Sequence, residues 1–145
     1  MPRILCIDYG RVRLGLALSD ESMTLASTLP YINVRKGNLL HKIDTVIKEN
    51  DVGEIVVGLP LSLNGADTEM TKEARVFADK LQELLELPVT LWDERLSSYE
   101  AEDMLRETGL DIRKVKEKRD SESARIVLQD YLDQSDDTAM NGGKE

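Results

Sequence analysis

The chain begins with two short apolar segments, residues 3–9 and 14–19, separated by a basic turn at residues 11–13. Both segments are rich in Ile and Leu, and a glycine stands on each side of the turn, which predicts a β-hairpin. One carboxylate, Asp8, stands at the end of the first strand. An acid in an apolar strand is unfavourable unless it has a partner. Asp8 must therefore face a cation, or solvent at the mouth of a site.

The rest of the chain alternates between short apolar segments and amphipathic ones. A third strand is expected at residues 25–34, where Pro30 marks an edge or an end. Further strands are predicted at residues 54–59 and 89–92, and helices at 39–48, 68–87, 97–107 and 120–132. A three-strand meander followed by βα units implies an α/β fold with a mixed β-sheet and helices on both faces.

The length of 145 residues suits one domain, which we expect over residues 1–133. The acidic tail at residues 134–145 lacks an apolar pattern and is expected to be disordered. The net charge of −9 argues against nucleic acid as a partner. Basic residues nevertheless cluster in the first turn and at residues 113–119, so a local basic surface that binds nucleic acid is still compatible with the sequence.

A single cysteine, Cys6, excludes an internal disulfide and fits a reduced cytoplasmic setting. No apolar run approaches the length of a membrane span, so no membrane partner is expected. The single histidine, His41, excludes a zinc site of several His and Cys residues. Hydrolytic chemistry would therefore need carboxylates and a hard cation such as Mg²⁺.

Carboxylates follow two of the predicted strands. Asp8 ends the first, and Asp93 and Glu94 follow the strand at residues 89–92. Ligands of open α/β sheets bind off the carboxyl ends of the strands, so these acids are expected near one another. Asp120, at the start of the last helix, is the third candidate. Crowded carboxylates stay ionised only with a cation between them, and Mg²⁺ fits such an oxygen-only cluster.

Four segments together resemble the YqgF/RuvX family of Holliday junction resolvase-like proteins, which is linked to maturation of the 5′ end of 16S rRNA. They occur in the expected order and spacing at residues 8–20, 55–65, 93–98 and 120–132. The resemblance implies an RNase H-like fold, which agrees with the meander and βα units predicted above.

The resemblance also implies the site residues. Asp8, Glu94 and Asp120 match the acids that would hold Mg²⁺, or Mn²⁺ in its place, and carry catalysis. Asp93 is the alternative to Glu94, and strand alternation favours only one of the two in the site. Glu122 departs from the family pattern and either lies on the outer face of the last helix or adds a fourth carboxylate.

Basic residues are predicted to hold the nucleic-acid backbone. Arg13 and Arg95 match basic family positions, whereas the first turn carries Arg11 where the family usually has its charge one residue later. The full predicted set is Arg11, Arg13, Arg95, Lys114, Lys116, Lys118 and Arg119.

The resulting hypothesis is a Mg²⁺-dependent endonuclease that hydrolyses phosphodiester bonds of structured nucleic acid, above all at the 5′ end of pre-16S rRNA. The alternatives are a Holliday junction resolvase and a non-catalytic ribosome-assembly factor that binds nucleic acid. An actin-like ATPase or sugar kinase is a further rival, but such folds need two domains around the nucleotide. Ribosomal precursor particles are possible partners, and junction resolution would require a homodimer.

Overall fold

The structure, a computed structural model, describes residues 2–62, 64–93 and 121–134. The strands in these ranges are β1 Arg3–Asp8, β2 Arg13–Ser19, β3 Ala26–Asn33, β4 Val52–Leu59 and β5 Val89–Asp93. The helices are α1 Leu39–Glu49, α2 Glu69–Leu85 and α3 at residues 121–134.

The strands form one five-stranded sheet in the order β3-β2-β1-β4-β5. β1 pairs with β2 and β2 with β3 in antiparallel fashion, whereas β1, β4 and β5 are parallel neighbours. The first strand of the chain is therefore the centre of the sheet. The prediction of a mixed sheet built from a meander and βα units is confirmed.

Each face of the sheet has its own apolar core. Cluster 1 lies under α1 and α2 and includes Leu5, Ile7, Leu14, Leu16, Ile32, Ile43, Ile47, Ile55, Val57, Phe77 and Leu81. Cluster 2 lies under α3 and consists of Ile4, Cys6, Ala17, Val56, Ala124, Val127, Leu128 and Leu132. Cys6 is fully buried, as expected. Helices on both faces, predicted from the element order, are thus also confirmed.

The end of α2 differs from the prediction. Thr68 caps the helix, and its side chain and that of Thr71 form a capping box. The sequence predicts a helix over residues 68–87 that ends because Pro88 follows it, but the last helical residue is Leu85. Glu86 adopts a left-handed conformation with φ 55° and its N–H donates to the Gln82 carbonyl, which closes the last turn.

Some predicted segments lie outside the described residues. These are the helix at 97–107 and the basic stretch at 113–119. Gln134 still belongs to α3, and residues 135–145 are not described, so the disordered tail stays a prediction. Of the described helices, none is both long and apolar enough to cross a membrane.

Candidate active site

Asp8 lies at the carboxyl end of the central strand. It is paired with Gly15 of β2 and Gly58 of β4, and Trp92 of β5 lies opposite the same Gly58. Side chains alternate along a strand, which puts Asp8 on the face of cluster 2, under α3. Because Gly58 has no side chain, β4 places nothing between Asp8 and Trp92 at this level. The half-buried Asp8 therefore lies at the carboxyl end of the central strand, on the face of the sheet that α3 covers.

Asp93 lies at the same end of the sheet but on the other face. It pairs with Leu59 and follows Trp92, which packs against cluster 2. Alternation then directs Asp93 towards the side of α1 and α2, where it is exposed. The structure thus separates Asp8 from Asp93. Within the described ranges, no group of three or more His, Cys, Asp or Glu residues could hold a metal ion.

The other predicted site residues lie outside the part of the chain that the structure describes. They are the acids Glu94 and Asp120 and the basic residues Arg95, Lys114, Lys116, Lys118 and Arg119. Their roles stay predictions. Ser121, which follows Asp120 in the sequence, is the first described residue of α3.

The described start of α3 lies at the Asp8 end of the sheet. The Ser121 hydroxyl donates to the Leu29 carbonyl at 3.0 Å. Leu29 pairs with Leu16, and Leu16 pairs with Ile7, the neighbour of Asp8. Ser121 therefore lies close to the level of Asp8 along the sheet.

The other end of α3 is fixed near the start of β1. The Gln129 side chain accepts the Ala26 N–H at 2.9 Å and donates to the Thr24 carbonyl at 2.9 Å. Ala26 pairs with Ser19, whose hydroxyl accepts the Ile4 N–H. Helix α3 consequently runs opposite to β1, and side chains near both of its ends bond backbone groups in or next to the edge strand β3.

A second set of contacts joins α3 to β4 and β5. The Trp92 Nε1–H donates to Asp130 at 2.9 Å, and the Tyr131 ring meets Trp92 edge-on with centroids 5.2 Å apart. The Tyr131 hydroxyl donates to Glu54. Burial, and then the neighbouring Glu54 carboxylate, raise the pKa of Tyr131. These bonds and those to β3 fix the helix across the width of the sheet.

Glu122 has a partner within its own helix. Arg125 Nε donates to Glu122 at 2.6 Å, and the two side chains form an ion pair. Both side chains are largely covered, with exposures of 22% for Glu122 and 27% for Arg125. The Glu122 carboxylate is therefore engaged by a cation one turn along α3, which does not favour its use as a fourth metal ligand.

The two arginines of the first turn lie on different sides of the sheet. Arg11 Nε donates to Glu73 of α2 at 2.8 Å, and this hydrogen bond raises the pKa of Arg11. Arg13 begins β2 next to Leu14 of cluster 1, so alternation puts it on the face of Asp8. Its guanidinium carbon is 5.4 Å from the ring centroid of Tyr31.

Sequence reasoning missed three of these groups. Tyr31 contacts Arg13, and Glu73 contacts Arg11, both of which are predicted site residues. Asp130 accepts a hydrogen bond from Trp92 and so holds α3 on the sheet. An aromatic residue in an edge strand was the only signal for Tyr31. Glu73 gave none, and Asp130 lies in the matched segment 120–132 but was given no role, because their partners lie 62 and 38 residues away in sequence.

The fold has counterparts among solved structures. A Thermus thermophilus RuvC structure superposes with a TM-score of 0.55 at 13% identity, covering 97% of this chain and 96% of that one. The structure described as T. thermophilus RuvC in complex with Holliday junction substrate gives 0.54 at 14% identity, covering 91% and 94%. The protein therefore has an α/β fold of the RNase H-like type.

Sequence relatives identify the family within this class. A family model described as RuvX, Holliday junction resolvase, matches residues 2–134. A relative from Maridesulfovibrio salexigens is 43% identical over 133 residues, 90% of this chain and 97% of its own length. One from Anaeromyxobacter sp. (strain Fw109-5) is 41% identical over 132 residues, 90% and 96%. Both are named "Putative pre-16S rRNA nuclease". The chain belongs to the RuvX family, and this membership supports nuclease function.

Proposed function

We propose that the protein is a divalent-metal-dependent endonuclease that processes the 5′ end of pre-16S rRNA. The observation that carries the proposal is the position of Asp8 at the carboxyl end of the central strand, below the start of α3. The choice of pre-16S rRNA as substrate rests on the names of the relatives that match over 97% and 96% of their own length. Cytoplasmic location and contact with ribosomal precursor particles follow from that substrate and belong to the same proposal.

Asp8, Glu94 and Asp120 would hold the metal, with Mg²⁺ as the first choice and Mn²⁺ as a substitute. All three donors are carboxylates, the ligand type that Mg²⁺ takes beside phosphate. Support comes from Asp8 and Ser121 lying at one end of the sheet, and from Asp93 lying on the opposite face. When bound, the metal would polarise the scissile phosphate and stabilise its developing charge.

The chain's own residues would position the substrate. Arg13 shares the face of Asp8 and can bind a backbone phosphate through two parallel N–H donors. Arg11 is bound to Glu73, but both side chains are exposed, so exchanging this ion pair for a phosphate costs little. Arg95, Lys114, Lys116, Lys118 and Arg119 complete the proposed surface. Backbone contacts carry no base information, so the substrate would be recognised by its shape.

The test is cleavage of a pre-16S RNA fragment by wild type and by Asp8→Asn, in Mg²⁺ and in EDTA. We expect a loss of at least about 100-fold in Asp8→Asn, since even outer partners of metal ligands are worth 10- to 100-fold. Asp44→Asn is the matched control, because Asp44 pairs with Lys48 on the surface of α1. Equal cleavage by wild type and Asp8→Asn would refute the proposed site.

The family description supports a second candidate, resolution of four-way DNA junctions. Resolution cuts two strands symmetrically and so needs a two-fold dimer. A four-way junction is therefore assayed beside the RNA, with the molecular mass of the protein measured in solution. Paired nicks by a dimer would favour the DNA reaction. Salt-sensitive RNA binding without cleavage, unaffected by Mg²⁺, would favour an assembly factor.

A further inference from the structure

The edge strand β3 presents an aromatic side chain to solvent on the Asp8 side of the sheet. Tyr31 is 41% exposed, although it lies in a strand between the partly buried Leu29 and the core residue Ile32. It precedes Ile32 of cluster 1, so alternation puts it on the opposite face, and its contact with Arg13 agrees.

The pairing of the strands gives the distance of this side chain from Asp8. Asp8 lies opposite Gly15 of β2, and β3 is the next strand along. The β2–β3 register is irregular here: Leu14 pairs with Ile32 and Leu16 with Leu29, which leaves Pro30 and Tyr31 together opposite Gly15. Two strand spacings of about 4.8 Å separate the backbones of Asp8 and Tyr31 by roughly 10 Å. A nucleotide next to the cleaved bond is within that reach.

The contact between Arg13 and Tyr31 combines the two chemistries that a nucleotide needs. A guanidinium at 5.4 Å from the ring centroid makes a cation–π contact and restrains the ring. Tyr31 keeps 41% of its surface exposed beside this contact, which is the surface that a flat partner would use. A nucleobase has such a π-face whatever its identity, and the guanidinium can bind the phosphate beside it.

We propose that Tyr31 and Arg13 form a subsite for an unpaired nucleotide that flanks the cleaved bond, with the base stacked on Tyr31 and its phosphate on Arg13. This subsite rests on the proposed nuclease function. Inside a duplex both faces of a base are covered by its neighbours, so a nucleotide next to the cleaved bond can stack on Tyr31 only when it is unpaired, and the subsite favours substrates with a single-stranded extension over blunt duplexes.

The test measures binding separately from cleavage. Full-length protein in EDTA is titrated with an RNA duplex carrying a single-stranded extension with one 2-aminopurine, and with the blunt duplex. Stacking on a ring quenches the probe. The same pair made of DNA shows whether RNA or DNA is preferred, because stacking itself serves both.

We expect Tyr31→Ala to weaken binding of the extended duplex roughly 5- to 150-fold, the equivalent of about 1–3 kcal/mol for one stacked base. Quenching should be lost, and blunt-duplex binding should not change. Tyr31→Phe keeps the ring and should bind within about two-fold of wild type, whereas Tyr31→Leu keeps apolar bulk and should behave like Tyr31→Ala. The matched control Leu25→Ala changes an exposed apolar residue just before β3, at the other end of the sheet.

Arg13→Gln should reduce the slope of log affinity against log salt by about 0.7–0.9, the value for one phosphate. Arg3→Gln, at the start of β1 and paired with Glu21, should leave the slope unchanged. Tyr31→Ala that binds and quenches like wild type would overturn the subsite, even if the wild type cleaves. Tyr31-dependent quenching in a protein that never cleaves would keep the subsite and refute the proposed function.

Discussion

Individual residues at the carboxyl end of the sheet decide what the site can do. Strand pairing and alternation put Asp8 and Asp93 on opposite faces, although both end parallel strands. Gly10 is constrained in the same region, since a Cβ there would lie 2.4 Å from the Arg13 carbonyl oxygen. The turn that presents Arg11 and Arg13 thus depends on a backbone approach that only glycine allows.

Substitution of the adjacent acids Asp93 and Glu94, one at a time, tests which of them belongs to the proposed metal site. We expect Glu94→Gln to lose at least about 100-fold in cleavage rate, as a metal ligand would, and Asp93→Asn to lose less than about ten-fold. The measurement is single-turnover cleavage over a series of Mg²⁺ concentrations. The reverse order of the two variants would assign the metal to Asp93 and contradict the strand alternation described above.

Gly10→Ala should destabilise the protein by about 1–3 kcal/mol, because an added methyl group must displace backbone rather than a flexible side chain. Urea unfolding followed by circular dichroism measures the change. Since the strain acts on the turn, binding of nucleic acid should weaken at temperatures where the variant is still folded. An unchanged unfolding midpoint would show that the turn has room for a side chain.

Asp20 should make stability depend on pH in acid. Backbone N–H groups of Thr24 and Leu25 hydrogen-bond its carboxylate and lower its pKa to about 2 from 3.8. A lowered pKa stabilises the folded state above pH 3.8 and loses that effect as pH falls towards 2. The melting temperature of Asp20→Ala should therefore lie below that of wild type at pH 6, and the difference should shrink by pH 2. A constant difference would mean that the charge has no part in it.

At the scale of elements, α3 packs across the face of the sheet on which Asp8 lies. Its buried face forms half of cluster 2, and polar bonds join it to the β3 region on one side and to β4 and β5 on the other. Ser121 and Gln129 also bond a carbonyl and an N–H of β3, the edge strand, which leaves fewer groups for pairing with another chain. These bonds fix the position of α3 relative to the sheet from both sides.

Leu128→Ala should cost about 2–5 kcal/mol, since Leu128 is fully buried between α3 and the sheet. Leu84→Ala is the matched control on α2, where the side chain is 58% exposed, and should change stability by less than about 0.5 kcal/mol. Both are measured by urea unfolding. Similar midpoints for the two variants would show that α3 packs loosely.

The strands and helices were largely predictable from the sequence, because apolar periodicity reports directly on which face is buried. The end of α2 was not, since it depends on a left-handed Glu86 and not on Pro88. For the candidate site, the position of Asp8 at the end of the first strand was predictable from the sequence, whereas its role stays a prediction. Tyr31 and Glu73 were not, because their contacts depend on a strand register and on a helix packing that no local pattern encodes.

At the scale of the whole molecule, the charge opposes the proposed substrate. A net charge of −9 repels a polyanion at long range, so binding must rest on local basic residues and on bound cations. Screening by salt acts on both the repulsion and the local attraction. The salt dependence of binding therefore reports how many phosphates the protein neutralises.

Changing Lys114, Lys116 and Lys118 together to Gln should lower the slope of log affinity against log salt by roughly 2–3, at about 0.7–0.9 for each phosphate that is no longer neutralised. The control is Lys48→Gln, which removes a charge from α1 that is paired with Asp44. Fluorescence anisotropy at several salt concentrations gives both slopes. Equal slopes for the triple variant and wild type would remove the basic stretch from the binding surface.

The order of elements along the chain has a consequence for its synthesis. All five described strands end by residue 93, whereas α3, which supplies half of cluster 2, is described from residue 121 onward. Ribosomes add about 5–20 residues each second, so a nascent chain lacks the α3 half of cluster 2 until the last helix emerges. A stall in translation before α3 would leave Ile4, Cys6, Ala17 and Val56 uncovered and prone to aggregate.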